Sequence, residues 1–231
     1  MNKRYAGKKI LVAGGTGGLG RAVSLAFLEE GATVFVTYRH LMELDTLKSA
    51  AGANAAQLAG TDVNVLDETA LKTFVTGLGR LDALVNAVGG YSAGAPLWEM
   101  DAKALDQMLD LNLRSGYLLA RAVVPLMLKQ KSGAIVNVAA TAAVNHMASA
   151  SEYVASKAAA VAMMDSLAAD LKGTGVRANS ILPSIIDTEA NRKAMPDADH
   201  AKWPKPEEIA RVILFLCSDD AKLVHGAAIP V

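Results

Sequence analysis

Short apolar runs alternate along this chain with longer segments whose apolar residues recur at helical spacing. Lys9-Ile10-Leu11-Val12-Ala13 is such a run, and Gly14-Gly15 stops it. It predicts a strand buried on both faces. The glycine-rich stretch Gly14 to Gly20 leads into a helix over Arg21–Glu30. Ala32–Tyr38 predicts a second strand and Leu41–Ala51 a helix. Ala55–Ala59 predicts a weak third strand, ending at Thr61-Asp62-Val63, and Asp67–Leu78 a helix with Asp67 as its N-cap. Leu81–Val88 predicts a fourth strand that runs into Gly89-Gly90, with a loop over Tyr91–Pro96. One long helix is expected from Asp101 to about Lys131, kinked at Pro125. Ala134–Ala139 and Val176–Leu182 predict two further strands, with an Ala-rich helix around Tyr153 and Lys157 between them. Ile185–Lys205 is charged, proline-flanked and expected to be irregular. Pro206-Glu207-Glu208 opens a last helix, with Pro near its first position and acids in its first turn. Gly226–Val231 reads as a final strand that stops early.

Strands and helices alternating at this spacing predict an α/β fold, a doubly wound and mostly parallel sheet with helices on both faces. Ligands in such sheets lie beyond the C-terminal strand ends, where strand order reverses. No repeat, linker or low-complexity tract interrupts residues 1–231, so one domain is expected. The segment 185–205 is placed as a lid over the site.

Bulk composition narrows the function. Lys plus Arg and Asp plus Glu both number 23, so no formal net charge attracts a nucleic acid or an anionic membrane. No nucleic-acid or membrane partner is expected, and the partner sought is a small-molecule substrate. The single Cys217 cannot form an internal disulfide and sits in an apolar run, as a packing residue would. The basic start of the chain leads only into a short apolar run broken by glycines, unlike a signal peptide or a membrane span. A cytoplasmic location is expected, and no metal site is assigned.

Two motifs carry chemistry. Strand, glycine-rich turn and helix, in that order, make a pyrophosphate cradle of Gly14 to Gly20 at a helix N-terminus. An NAD site commonly places an acid about 20 residues later, for the ribose 2′-hydroxyl. Here Tyr38, Arg39 and His40 stand there, and an Arg pairs with a 2′-phosphate. NADP(H) is therefore favoured, with NAD(H) as the alternative. The second motif is Tyr153-Val154-Ala155-Ser156-Lys157. On a helix, residues four apart share one face. A Lys ammonium beside the phenol is expected to lower its pKa and suit it to general-acid work.

Together these residues resemble the short-chain dehydrogenase/reductase family along nearly the whole chain. The resemblance rests on Ala13 to Gly20, Asp62-Val63, Asn86-Ala87-Val88-Gly89, Asn112, Tyr153 with Lys157, and Pro183 followed by Thr188. It implies that Gly14, Gly18 and Gly20 hold the pyrophosphate, with Thr16, Gly17 and Leu19 also against the cofactor. It implies that Asp62 and Val63 flank adenine and that Asn86 with Ala87 meets the adenine-side ribose, with Val88 and Gly89 also against the cofactor. Pro183, Ile186 and Thr188 would meet the nicotinamide. Tyr153 would donate the proton, Lys157 would hold the nicotinamide ribose, and Asn112 would hold a water linking Lys157 to solvent. The family also implies a homodimer or homotetramer.

The departures are informative. The family's catalytic Ser would stand at Ala140, and neither Ala139 nor Ala140 can donate a hydrogen bond. Thr141 is the adjacent candidate. A missing donor at a developing oxyanion costs on the order of 10²–10³ in rate. One branch of the family, the dihydropteridine reductases, is similar in lacking that Ser. This chain resembles that branch in Ala87 to Gly94 and from Leu182-Pro183 through Asn191-Arg192-Lys193-Ala194-Met195-Pro196 to Trp203. A quinonoid dihydropterin takes a hydride and one proton on nitrogen, so no alkoxide forms. Tyr91, Thr141 and Trp203 are the substrate-side candidates. The sequence therefore predicts an NADPH-preferring reductase of a pterin-like or other conjugated C=N or C=C substrate. Its rivals are a carbonyl reductase of the 3-oxoacyl thioester type and an NADP-binding regulator without turnover.

Overall fold

The computed structural model describes residues 3–231. Seven strands form one parallel sheet, in the order β3-β2-β1-β4-β5-β6-β7. In chain order the elements are β1 Lys9–Ala13, α1 Gly18–Glu29, β2 Thr33–Thr37, α2 Leu41–Ala51, β3 Leu58–Thr61, α3 Glu68–Gly77 and β4 Ala83–Asn86. There follow α4 Ala102–Leu109, α5 Ser115–Gln130, β5 Gly133–Val138, α6 Ser151–Asp170, β6 Val176–Leu182, α7 Glu189–Ala194, α8 Pro206–Cys217 and β7 Ala228–Pro230. The expected α/β class is observed.

Alternation along β1 explains the two layers. Ile10 and Val12 point to one face, where they pack with Val23 and Phe27 of α1, Leu44 and Leu47 of α2, and Ile209 and Ile213 of α8. Leu11 and Ala13 point to the other, against Leu71 and Val75 of α3, Leu119 and Val123 of α5 and Met164 of α6. A strand apolar on both faces is what a covered parallel sheet requires.

Sheet order reverses between β1 and β4, which run side by side with Ala13 opposite Asn86. The crevice is therefore set at the ends of those two strands.

Several local expectations are corrected. Residues Gly52–Gln57 form a tight helical turn, and β3 begins only at Leu58. The Ala-rich 55–57 stretch has no large apolar side chain to bury, whereas Leu58 is buried opposite Val34. The long helix expected from Asp101 is two helices, joined by a wide π turn over Asp110–Arg114. The break falls at Asn112, and α5 runs unbroken through Pro125. A residue inserted in the turn swings Asn112 into the interior, where its amide finds partners. Segment 185–205 is not wholly irregular. It contains α7, whose start is capped by Thr188 and braced by the Asp187–Arg192 ion pair.

Candidate active site

Backbone turns at the strand ends build the first half of the site. Gly14 follows β1 with φ of 71°, and a Cβ there would lie 3.1 Å from the backbone of Ala87 and Val88. Its N–H donates to Thr37 Oγ1 at the end of β2, at 2.9 Å. A Cβ on Gly20 would overlap the Gly14 carbonyl, so only glycine lets α1 sit down on this turn. Helix α1 starts with no side-chain cap and no acid in its first turn. Its first N–H groups are free for an anion, and these residues fit a dinucleotide pyrophosphate.

An open cleft of about 550 Å³ extends from this turn. Of the residues marked in the sequence, Gly14, Thr16, Gly17, Tyr38, Arg39, Asp62, Val63, Ala87, Val88 and Gly89 line it. Leu19, Gly20 and Asn86 are buried behind it. Asn86 shapes the strand end instead, donating to Asn137 Oδ1 at 2.8 Å and accepting from the Val88 N–H at 3.2 Å. Gly18 lies against Thr188, where a Cβ would stand 2.8 Å from the threonine methyl. Glu43, Asn64, Val65, Leu66, Asp110, Leu111 and Ser115 also line the cleft and were missed. Glu43 had one available signal, its place in the first turn of the helix that follows Arg39.

Helix α6 supplies the second half. Tyr153 is half-buried and Lys157 is buried. The ring of Tyr91 meets that of Tyr153 edge-on, with centroids 4.9 Å apart. Lys157 Nζ donates to the Val138 carbonyl at 3.1 Å and stands 6.0 Å from the Tyr153 ring centroid. Asn112 ties the pieces together. Its amide donates to the Gly90 carbonyl at 3.1 Å and to Ser156 Oγ at 3.0 Å, and its Oδ1 accepts from the Gly90 N–H at 2.9 Å. A Cβ on Gly89 would lie 2.9 Å from Asn112 Oδ1 and 3.2 Å from Lys157 Nζ. Gly89 thus joins the cleft to the Tyr153–Lys157 pair.

The electrostatics correct one expectation. Burial, with a smaller contribution from Tyr91, pushes the Tyr153 phenol up to about 12. Burial pushes Lys157 down to about 8. The Lys157 ammonium donates to the Val138 carbonyl, and the phenol moves up rather than down.

At the end of β5, Ala139 and Ala140 are buried methyls. Thr141 is half-buried, opens a tight turn over Thr141–Ala143, and donates its N–H to the Pro183 carbonyl at 2.9 Å. Ile186 packs against the core, and the Thr188 hydroxyl accepts from the Asn191 N–H at 3.2 Å. Trp203 packs on His200, with ring centroids 4.6 Å apart. A larger hollow of about 700 Å³ opens at the opposite ends of the strands. Several of its charges are engaged in the fold: Arg4 with Asp220, Lys8 with Asp82, and Arg177 with the Val224 and Ser218 carbonyls.

Residues 8–199 match a family model described as short chain dehydrogenase. The chain belongs to the short-chain dehydrogenase family. Among its relatives, the 3-oxoacyl-[acyl-carrier-protein] reductase of Thermotoga maritima is 33% identical, over 99% of this chain and 97% of that protein. The D-threitol dehydrogenase of Mycolicibacterium smegmatis is also 33% identical, over 97% and 91%. The crystal structure of levodione reductase superposes with a TM-score of 0.91 at 28% identity, covering 99% of this chain and 97% of that one. This short-chain dehydrogenase is thus an oxidoreductase whose fold is one that binds NAD(P). No helix among the described residues is long and apolar enough to cross a membrane.

Proposed function

We propose that this chain is an NADPH-preferring reductase of a flat, conjugated C=N or C=C acceptor of the pterin type. The observation that carries the reading is that Ala139 and Ala140, at the end of β5, are buried methyls in a chain that keeps Tyr153 and, bonded to the Val138 carbonyl, Lys157. A carbonyl reduced to an alkoxide needs a donor at its oxygen, and its loss costs on the order of 10²–10³ in rate. An acceptor that takes its proton on nitrogen needs none.

The bound nicotinamide cofactor supplies the hydride. Gly14, Thr16, Gly17, Gly18, Leu19 and Gly20 form its pyrophosphate turn, and Arg39 beside Tyr38 pairs with a 2′-phosphate. Asp62 and Val63 flank the adenine. Asn86, Ala87, Val88 and Gly89 form the floor under the ribose, and Pro183, Ile186 and Thr188 form the nicotinamide end. Tyr153 stays protonated through the neutral range, since its pKa is pushed up to about 12, and so holds a proton to give. Lys157, pushed down to about 8, is still mostly an ammonium at pH 7 and can restore that proton. Asn112 holds Gly90 and Ser156 so that Lys157 keeps its place. Tyr91 offers a ring wall beside Tyr153, and Trp203 backs the 185–205 segment, which serves as the lid.

A second reading, reduction of a 3-oxoacyl thioester or similar ketone, is favoured by the identity to the Thermotoga maritima reductase. It requires Thr141 to replace the missing Ser. Steady-state kinetics of Thr141→Ala separate the two. We expect less than about a threefold change in kcat on a dihydropterin. A loss on the order of 10² would favour the ketone reading instead.

A further inference from the structure

The mouth of the cleft carries an acid that the motifs do not mark. Glu43 lies in the first turn of α2, and its Oε2 accepts a 2.8 Å hydrogen bond from Thr16 Oγ1 in the glycine-rich turn. Glu43, Thr16, Tyr38 and Arg39 line one end of the cleft and come from three separate segments. Arg39 is exposed and has no ion-pair partner among the described residues. One positive and one negative side chain therefore share a rim without neutralising each other.

We propose that Glu43 also reads the ribose 2′ position, and that its charge holds down the NADPH preference that Arg39 provides. A carboxylate has lone pairs enough to accept from a 2′-hydroxyl while it keeps Thr16. A 2′-phosphate at the same place meets a like charge, which Arg39 must offset. The hydrogen bond to Thr16 fixes the carboxylate toward the turn instead of leaving it free in solvent. The inference rests on the cleft being the dinucleotide site.

The test is binding, not turnover. The chain without cofactor is titrated with NADPH and with NADH, following cofactor fluorescence. Glu43→Gln should tighten NADPH about tenfold and weaken NADH or leave it unchanged. The gain should shrink at about 0.5 M salt, because the charges are exposed. Thr16→Val removes the hydrogen bond that fixes the carboxylate but leaves its charge, and should shift the NADPH-to-NADH ratio in the same direction as Glu43→Gln by a smaller factor. Arg39→Gln should weaken NADPH alone. If Glu43→Gln moves both dissociation constants by one factor, or neither, the inference is wrong and Glu43 only braces the turn. If the wild-type chain binds neither cofactor, the assignment of the cleft fails and takes the inference with it.

Discussion

Lys157 is a charged group held where water barely reaches, and its energetics are opposed to its use. Burial pushes it down to about 8 from 10.5, so the folded chain binds fewer protons than the unfolded chain between those values. Stability should therefore rise with pH across that window. Tyr153 works the other way. Its phenol is pushed up from 10.0 to about 12, so stability should fall as pH rises through that range. Lys157→Met should raise stability at pH 7 by on the order of 1–2 kcal/mol, the desolvation relieved less the donor lost to Val138. That gain should fade toward pH 10.5, where the folded-state amine is neutral and the unfolded-state amine has lost half its charge. Urea unfolding at pH 7 and near pH 10 checks both points. At this scale the Tyr153–Lys157 spacing was legible, because helix geometry is local. The direction of the Tyr153 pKa was not. It depends on burial and on Tyr91, a residue from a distant loop.

Turns decide what the elements can do. Gly20 and Gly17 stand three residues apart in one motif, yet they carry different loads. A Cβ on Gly20 would collide with the Gly14 carbonyl, whereas one on Gly17 meets nothing closer than 3.5 Å. Gly17 also has an ordinary φ of −74°. Gly20→Ala should lower the melting temperature by several degrees, as a cost of about 1–3 kcal/mol implies. Gly17→Ala should leave it within about a degree, and differential scanning calorimetry would read the contrast. The strands around the cleft were legible from continuous apolar runs such as Ile10-Leu11-Val12, because both faces of the sheet are covered. The π turn at Asn112 was not, since nothing in local propensity marks it. It follows from bonds to Gly90 and Ser156, which only the folded chain brings near. Pro125 drew the kink in the sequence reading for the opposite reason, as a strong local signal that tertiary packing overrode.

Among the exposed large apolar side chains, three lie on α4 and α5. Leu105 on α4 and Tyr117 and Leu128 on α5 are exposed by 40%, 51% and 41%. Tyr117 and Leu128 fall on one face of α5, three helical turns apart. We expect this face to be covered by a second copy of the chain, as the homodimer or homotetramer reading requires. Light scattering should give two or four times the chain mass of 24.0 kDa, and Tyr117→Asp should lower it. A wild-type monomer would contradict this. The order of strands and helices was legible because each element buries its own pattern. The substrate class was not, because it turns on the absent donor at Ala140 and on what the lid admits. The measurement closest to the central claim is steady-state oxidation of NADPH with chemically generated quinonoid dihydropterin, beside a panel of simple ketones and a 3-oxoacyl thioester. Pterin should turn over readily and ketones poorly, and pterin turnover should fall by about 10²–10⁴ in Tyr153→Phe with cofactor affinity unchanged. Ready turnover of ketone or thioester with none of pterin would contradict that claim, and would mean that Thr141 or a water does the work of the missing hydroxyl.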